Sequence, residues 1–250
     1  MELRDFHVHT TFSDGNNSPE EMVLAAINQG MTAIGFSDHS YTDFDQTYCL
    51  AKEKIAEYRA TVSELRKKHR DRITVLCGIE QDYFSKEPTG GYDYVIGSVH
   101  YLKVHDAYIP VDATADILLS ATQKYFNGDI YALAEEYYKT VGDVVQKTGA
   151  TIIGHFDLIT KFNENGVLFD ENHPRYINAW KKAVKELLKS DAVFEINTGA
   201  VSRGYRTVSY PSSDIRNYIL EHSGSFILSS DSHSTDALCF GFENERSWID

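Results

Sequence analysis

The chain has 250 residues, with 24 Lys and Arg against 37 Asp and Glu, for a formal net charge of -13. That length buries a full core, and an acidic balance with no Lys/Arg cluster long enough to follow a phosphate backbone argues against nucleic acid as a partner. Nowhere do about eighteen apolar residues follow one another, and the N-terminus reads as the charged "MELRD", so no membrane span and a cytoplasmic location are expected.

The elements run in chain order as short apolar stretches separated by polar ones with helical spacing. The first, "LRDFHVH", leads to Ser18-Pro19-Glu20-Glu21, in which Ser18 caps a helix, Pro19 suits its first turn and Glu21 completes a capping box. Met22, Ala25, Ala26 and Ile27 keep helical spacing up to Gly30, the expected stop. "TAIGFSDH" follows, with a helix expected from Tyr48 to His69 behind it. Next come "ITVLCGIEQDY" and "YDYVIGSVHYL", and then one long helix from Asp116 to Thr148. "ATIIGHFDL", a helix from Pro174 to Ser190, "DAVFEINTG", a helix from Ser212 to His222 and "SFILSSDSH" complete the order. No linker, repeat or low-complexity segment interrupts it, so one domain over residues 1–250 is expected. Strand and helix in alternation, with right-handed crossovers, predict an α/β fold whose parallel sheet can close into a barrel.

In such folds the site collects at the C-terminal ends of the strands. The apolar runs end in His7 and His9, His39, Glu80, His100, His155, Glu195 or Asn197, and Asp231 with His233. Imidazole with carboxylate suits zinc, manganese or iron, whereas calcium takes an all-oxygen set. The cysteines Cys49, Cys77 and Cys239 lie far apart without a C-x-x-C pair, so they are expected to be reduced and buried rather than a thiolate site. Alternation along a strand turns both histidines of "HVH" to one side with Val8 opposite, and Asp231 to His233 repeats that spacing. The six strand-end histidines with Asp14, Glu80 and Asp231 exceed what one ion takes; two or three ions are implied, with Glu80 as the natural bridge. A single strand-end histidine is more often a structural hydrogen-bonding residue, so the reading rests on the set. Asp14 has the competing reading of an Asx turn with Gly15, and Asp38 is placed to orient His39 or cap the next segment. His69, His105, His173 and His222 fall in helices or loops and read as surface residues.

The ordered motifs "DFHVHTTFSDG", "GFSDHS", "GIEQDY", "IGSVHY", "GHFDL", "EINTGA" and "SSDSH" resemble the polymerase-and-histidinol-phosphatase (PHP) superfamily, in particular its stand-alone histidinol-phosphatase branch, over almost the whole chain. The resemblance implies a distorted, TIM-like (β/α)7 barrel and a site of three divalent metal ions. It assigns His7, His9, Glu80 and Asp231 to the first ion, and Glu80 bridges to a second held by His100 and His155. Asp14, His39 and His233 take the third; in some relatives a histidine stands where Asp14 stands here. The implied activity is hydrolysis of L-histidinol phosphate to L-histidinol and phosphate, a late step of histidine biosynthesis, by attack on phosphorus of a hydroxide bridging the first two ions. Glu80 belongs to that centre, and Asp231 and His233 are the candidates for protonating the leaving alkoxide. Among the cations in the loops after the fifth and sixth runs, Arg203, then Lys161, then Arg206 are expected on the phosphate, against a reading as solvated surface charge. Glu195 and Asn197 face one way and can orient a ligand or meet the amino group of an amino alcohol. Three other readings stand beside this: a PHP enzyme for another small phosphate ester, a metal-binding module without turnover, and an amidohydrolase. That last family commonly bridges its metals with a modified lysine at the place Glu80 occupies.

Overall fold

The computed structural model describes residues 2–249, so the ends of the expected 1–250 domain lie outside the described residues. Its strands in chain order are β1 (Arg4–Asp5), β2 (Ala33–Phe36), β3 (Thr74–Asp82), β4 (Tyr94–Ser98), β5 (Tyr101–Val104), β6 (Ala107–Pro110), β7 (Ile152–Ile153), β8 (Val193–Asn197) and β9 (Phe226–Ser229). Seven of them form one parallel sheet in the order β1-β2-β3-β4-β7-β8-β9, one strand from each of the apolar runs. The sheet nearly closes on itself. Beyond β1 and β9 the chain pairs Val8 with Ser232, and His9 N donates to Ser232 O at 2.8 Å while Ser232 N donates to His7 O at 3.1 Å. The seam is therefore drawn together at the C-terminal rim, where the histidines stand.

Helices cover the outside: α1 (Pro19–Asn28), α2 (Ile55–His69), α3 (Ala115–Tyr125), α4 (Ile130–Gly142), α5 (Val144–Thr148), α6 (Pro174–Leu187), α7 (Gly199–Ser202), α8 (Ser213–Glu221) and α9 (Phe242–Glu245). Local signals set α1: Ser18 and Glu21 make the reciprocal capping box, and Gly30 turns the chain off the helix at a φ of 74°. The bottom of the barrel is filled by Tyr94, whose hydroxyl donates to Phe6 O at 2.6 Å and lies 3.0 Å from Phe36 O. Gly78 on the neighbouring β3 and Gly35 on β2 leave the volume its ring occupies, since a Cβ at either would run into it.

Four expectations are corrected. The single helix from Asp116 to Thr148 is three helices, α3, α4 and α5, because Asn127 and Gly128 take left-handed φ values of 54° and 79° and Asp129 then caps α4 through Tyr131 N and Ala132 N. The helix expected from Tyr48 begins later, through a 3-10 turn at Lys52–Lys54, because Leu50 N is bonded to His39 O at 2.9 Å and holds that stretch against the barrel rim. The run "YDYVIGSVHYL" does not end at the rim: it turns back as the antiparallel pair β5–β6. His69 is buried at the end of α2, where its Nε2 lies 3.2 Å from Glu20 Oε1. Of its companions, His105 and His222 are exposed, and His173 is the N-cap of α6, accepting from Arg175 N and stacked on Tyr131. All three cysteines are free and buried.

Candidate active site

The barrel rim brings every expected metal ligand into one cluster. His7 and His9 leave β1 with Nε2 atoms 3.3 and 3.5 Å from Glu80 Oε2, and 3.7 and 3.2 Å from Asp231 Oδ1. His39 Nδ1 reaches the same Glu80 oxygen at 2.8 Å. The other oxygen of Glu80 faces His100 Nε2 at 3.3 Å and His155 Nε2 at 3.0 Å. Glu80, wholly buried on β3, thus stands between two groups of imidazoles. At the outer edge Asp14 lies 3.2 Å from His233 Nε2 and 3.7 Å from both His9 Nδ1 and His39 Nε2. The Asx-turn alternative for Asp14 finds no bond to the backbone ahead of it among the described residues; its carboxylate accepts from Ser13 Oγ and faces imidazoles. Three sets of donors each converge within 4.8 Å: His9 with Asp14, His39 and His233; His7 with His9 and Glu80; and His39 with Glu80 and His100.

The local fold explains this convergence. Gly15 lies so close to His9 and Thr10 that a Cβ would meet their backbone at 2.6 Å, and this tight loop returns Asp14 over His9. Asp38 secures it, accepting from Thr10 N at 2.8 Å, Ser13 N at 3.1 Å and Ser13 Oγ at 2.6 Å. Asp38 therefore shapes the loop carrying Asp14 rather than orienting His39. Asp231 adopts a left-handed φ of 50°, an uncommon conformation for a residue with a side chain, which lets its carbonyl and carboxylate both meet Arg203.

The rim opens into a cavity of about 320 Å³ that exposes Asp14, His39, His100, His155, Asp231 and His233 on one side. Lys161 and Arg203 line it as well. Arg203 donates through Nη1 to Asp231 O at 2.9 Å and through Nη2 to Asp231 Oδ2 at 3.0 Å. Lys161 Nζ donates to Asp112 Oδ2 at 3.2 Å. Arg206 takes a different course: it is buried, its Nη1 donates to Thr160 O at 2.6 Å, and its guanidinium packs on the Tyr210 ring instead of lining the cavity.

The donor chemistry is what a transition-metal site requires. His7 Nε2, both nitrogens of His9 and Glu80 Oε2 are buried without a hydrogen-bond partner among the described residues. Leaving a buried polar atom unpaired costs about 1–3 kcal/mol, so several converging lone pairs of this kind fit a cation. A family model for the PHP domain matches residues 5–199. The chain belongs to the PHP domain family. The histidinol-phosphatase of Bacillus subtilis is 25% identical to it over 97% of this chain and 98% of its own. A Listeria monocytogenes structure, provisionally named a histidinol phosphatase, superposes with a TM-score of 0.81 at 20% identity, covering 96% of this chain and 99% of that one. The Lactococcus lactis histidinol phosphate phosphatase, solved with zinc, L-histidinol and phosphate, gives a TM-score of 0.71 at 23% identity over 99% and 92%. These likenesses establish the shared barrel fold.

The electrostatics of this PHP site keep its carboxylates ionised. Burial alone would raise the Glu80 carboxyl, yet the imidazoles of His39, His7 and His100 hold it well below its ordinary range. Burial opposes ionisation of Asp231 too, and Arg203 and His7 overcome it. His7 and His100 are pushed the other way: despite burial, Glu195 and Glu80 raise His7, and Glu80 and Asp82 raise His100. His9 is lowered to about 3 by burial and by the neighbouring His233 and His39.

Supporting contacts within the PHP barrel were less visible in the sequence. Glu195 bonds His7 Nδ1, His155 N and Asn197 Nδ2, so of the two roles open to it the structure shows the orienting one. Asn197 in turn bonds Glu195, Gly199 N and Asp231. Asp82, two residues beyond Glu80 and on the same face of β3, was missed; its Oδ2 lies 3.3 Å from His100 Nδ1. Strand alternation from Glu80 was the signal that could have found it. Asp112, Tyr48, Tyr205 and Tyr210 also line the cavity, and no motif marked them; Tyr101, at the end of "IGSVHY", lines it too but was given no role.

Proposed function

We propose that this PHP chain is a metal-dependent phosphomonoesterase that hydrolyses L-histidinol phosphate to L-histidinol and phosphate, in histidine biosynthesis. The observation that carries the reading is a single cavity lined both by a cluster of imidazole and carboxylate donors and by two cations, Arg203 and Lys161. The choice of ester is supported by the Lactococcus lactis protein, which holds zinc, L-histidinol and phosphate together.

Three ions, zinc, manganese or iron, account best for three overlapping donor sets. His7, His9, Glu80 and Asp231 would hold the first, Glu80, His100 and His155 the second, and Asp14, His39 and His233 the third; His39 is also close enough to Glu80 to share the second. Bound there, the ions supply a water acidified toward neutrality and positive charge for the phosphoryl oxygens. The chain does the rest. Glu80 presents one oxygen to each group of imidazoles and sets their spacing. Lys161 and the donors of Arg203 left free by Asp231 bind phosphate oxygens; Arg203 also fixes Asp231. Arg206, committed to Thr160 and Tyr210, is left out of the phosphate site. Of the two candidates for protonating the departing alkoxide, Asp231 is held ionised by Arg203, and His233 has Nε2 facing Asp14 at 3.2 Å and Nδ1 3.1 Å from Arg203 Nη1, so neither is set apart as the acid.

The test is a steady-state screen of the metal-reconstituted protein on L-histidinol phosphate against a panel of small phosphate monoesters, with His100→Ala and Arg203→Ala beside it. A preference of at least about tenfold in kcat/KM, roughly 1.4 kcal/mol, is expected, with release lost in both variants. A smaller preference would reject the dedicated substrate, and undiminished release in both variants would reject the site.

A further inference from the structure

We infer that Asp112 is a specificity-determining residue that reads positive charge on the organic part of the ester. The inference rests on the proposed phosphomonoesterase activity. A phosphate monoester is a dianion, and its charge is met by the metal cluster with Lys161 and Arg203. A carboxylate in the same cavity repels such a substrate unless it faces a cation on it. Apart from Asp14 and Asp231, which belong to the ligand set, Asp112 is the carboxylate among the described residues that line the cavity.

Its position is imposed by the fold. Asp112 follows β6 closely; Tyr101 pairs with Pro110 across the hairpin, and Val111 N donates to His100 O at 2.9 Å. The carboxylate is thereby pinned at the mouth beside a ligand-bearing strand end. Its Oδ2 takes Lys161 at 3.2 Å, while among the described residues no donor is bonded to Oδ1. Aromatic residues complete the surroundings. Tyr48 and Tyr101 stack at 6.2 Å between ring centres, and the Tyr101 hydroxyl donates to Asp45 Oδ2 at 2.6 Å, which fixes the ring. A carboxylate oxygen beside fixed aromatic rings suits a flat or ammonium-bearing cationic group. Tyr205 already carries the Lys161 ammonium over its ring at 4.8 Å, which leaves Tyr48 and Tyr101 among the other rings of the cavity.

Asp112→Asn keeps the size of the side chain and removes the charge. On the metal-loaded protein, its kcat/KM is measured with L-histidinol phosphate and ethanolamine phosphate, which carry cations, and with p-nitrophenyl phosphate and ethyl phosphate, which do not. The loss on each cationic ester is expected to exceed the loss on the neutral ones by about tenfold or more, chiefly in KM. Asp112→Glu should recover part of the discrimination, and Lys161→Met should weaken all four esters alike. Equal losses of Asp112→Asn on both kinds of ester would show that Asp112 serves only to hold Lys161 and would overturn the inference, as would no loss on any. If the unaltered protein shows no preference for L-histidinol phosphate, the substrate proposal fails by itself, and ethanolamine phosphate against ethyl phosphate still decides the role of Asp112.

Discussion

Glu195 Oε2 sits 2.8 Å from Nδ1 of His7, and both side chains are fully shielded from solvent. With an ion bound, this contact would hold the His7 proton on Nδ1 and leave the Nε2 lone pair directed toward Glu80 and Asp231. The other oxygen of Glu195 accepts from His155 N at 2.5 Å and from Asn197 Nδ2 at 2.8 Å, so one carboxylate serves donors on both sides. Glu195→Gln keeps the volume and offers one acceptor in place of two. Whichever way the amide turns, an N–H group faces a donor. A loss of about 10- to 100-fold in metal affinity is expected. Competition against a chromophoric chelator measures it, and unchanged zinc affinity would remove Glu195 from the support of the site.

Gly199 makes a second, purely steric prediction. A Cβ at this position would lie 2.8 Å from Asp231 Cβ and Oδ2 and 3.0 Å from Arg203 Nη2. Neither neighbour moves freely, since Asp231 is held by Asn197 and Arg203 is bonded to Asp231 twice. Gly199→Ala should therefore shift Asp231 and Arg203 together and lower kcat by about 100-fold, the scale expected for an ångström of misplacement. The overpacking should cost about 1–3 kcal/mol of stability, so kcat is compared well below the melting transition. Full activity in a folded Gly199→Ala variant would show that the Asp231–Arg203 pair is not needed in this geometry.

These two positions show where sequence reading reached and where it stopped. The proposed ligands other than Asp14 were legible because they stand at or near the ends of apolar runs, and strand period and barrel topology carry such ends to one rim. Ser18 and Glu21 were legible for a similar reason, since a capping box is written within four residues. Glu195 could be placed on the right face but not given its partner, because His7 is 188 residues away and only the packed barrel joins them. The break between α3 and α4 was written locally, in Asn127-Gly128-Asp129, and was overridden by helical spacing on both sides. The β5–β6 hairpin turns at His105 with a φ of 54° and carries no glycine at that turn, so the turn that brings Asp112 to the mouth had no strong local signature.

Tyr94 supports the opposite end of the barrel. Its hydroxyl lies within reach of two carbonyls, Phe6 O just after β1 and Phe36 O at the end of β2. Tyr94→Phe should leave both without this donor and cost about 1–3 kcal/mol. Gly78→Ala should cost at least as much, because its Cβ enters the Tyr94 ring and the rest of the floor is packed. Urea unfolding with unchanged slope would report both losses as midpoint shifts. Stability equal to that of the unaltered protein in both variants would show that the floor relaxes around the ring.

Protons and metal compete for the same atoms, and the sign of the competition follows from the site. Despite burial, carboxylates raise His7, His39 and His100 above their ordinary range, so without metal these imidazoles hold protons at pH values where free histidine has lost them. A ligating imidazole must be neutral, so ion binding expels those protons and affinity rises with pH through the histidine range and above it. His9 contributes nothing to this release, because burial and its histidine neighbours lower it to about 3 and it is already neutral. The stabilisation that metal gives the fold is accordingly greatest above the raised histidine values and is lost progressively as pH falls through them. Zinc titration calorimetry at pH 7 in buffers of different ionisation enthalpy should give heats that differ in proportion to the protons released. Melting curves with and without chelator should converge as the pH is lowered. Buffer-independent heats, or a chelator effect that persists undiminished in acid, would show that the imidazoles around Glu80 are already neutral before metal arrives.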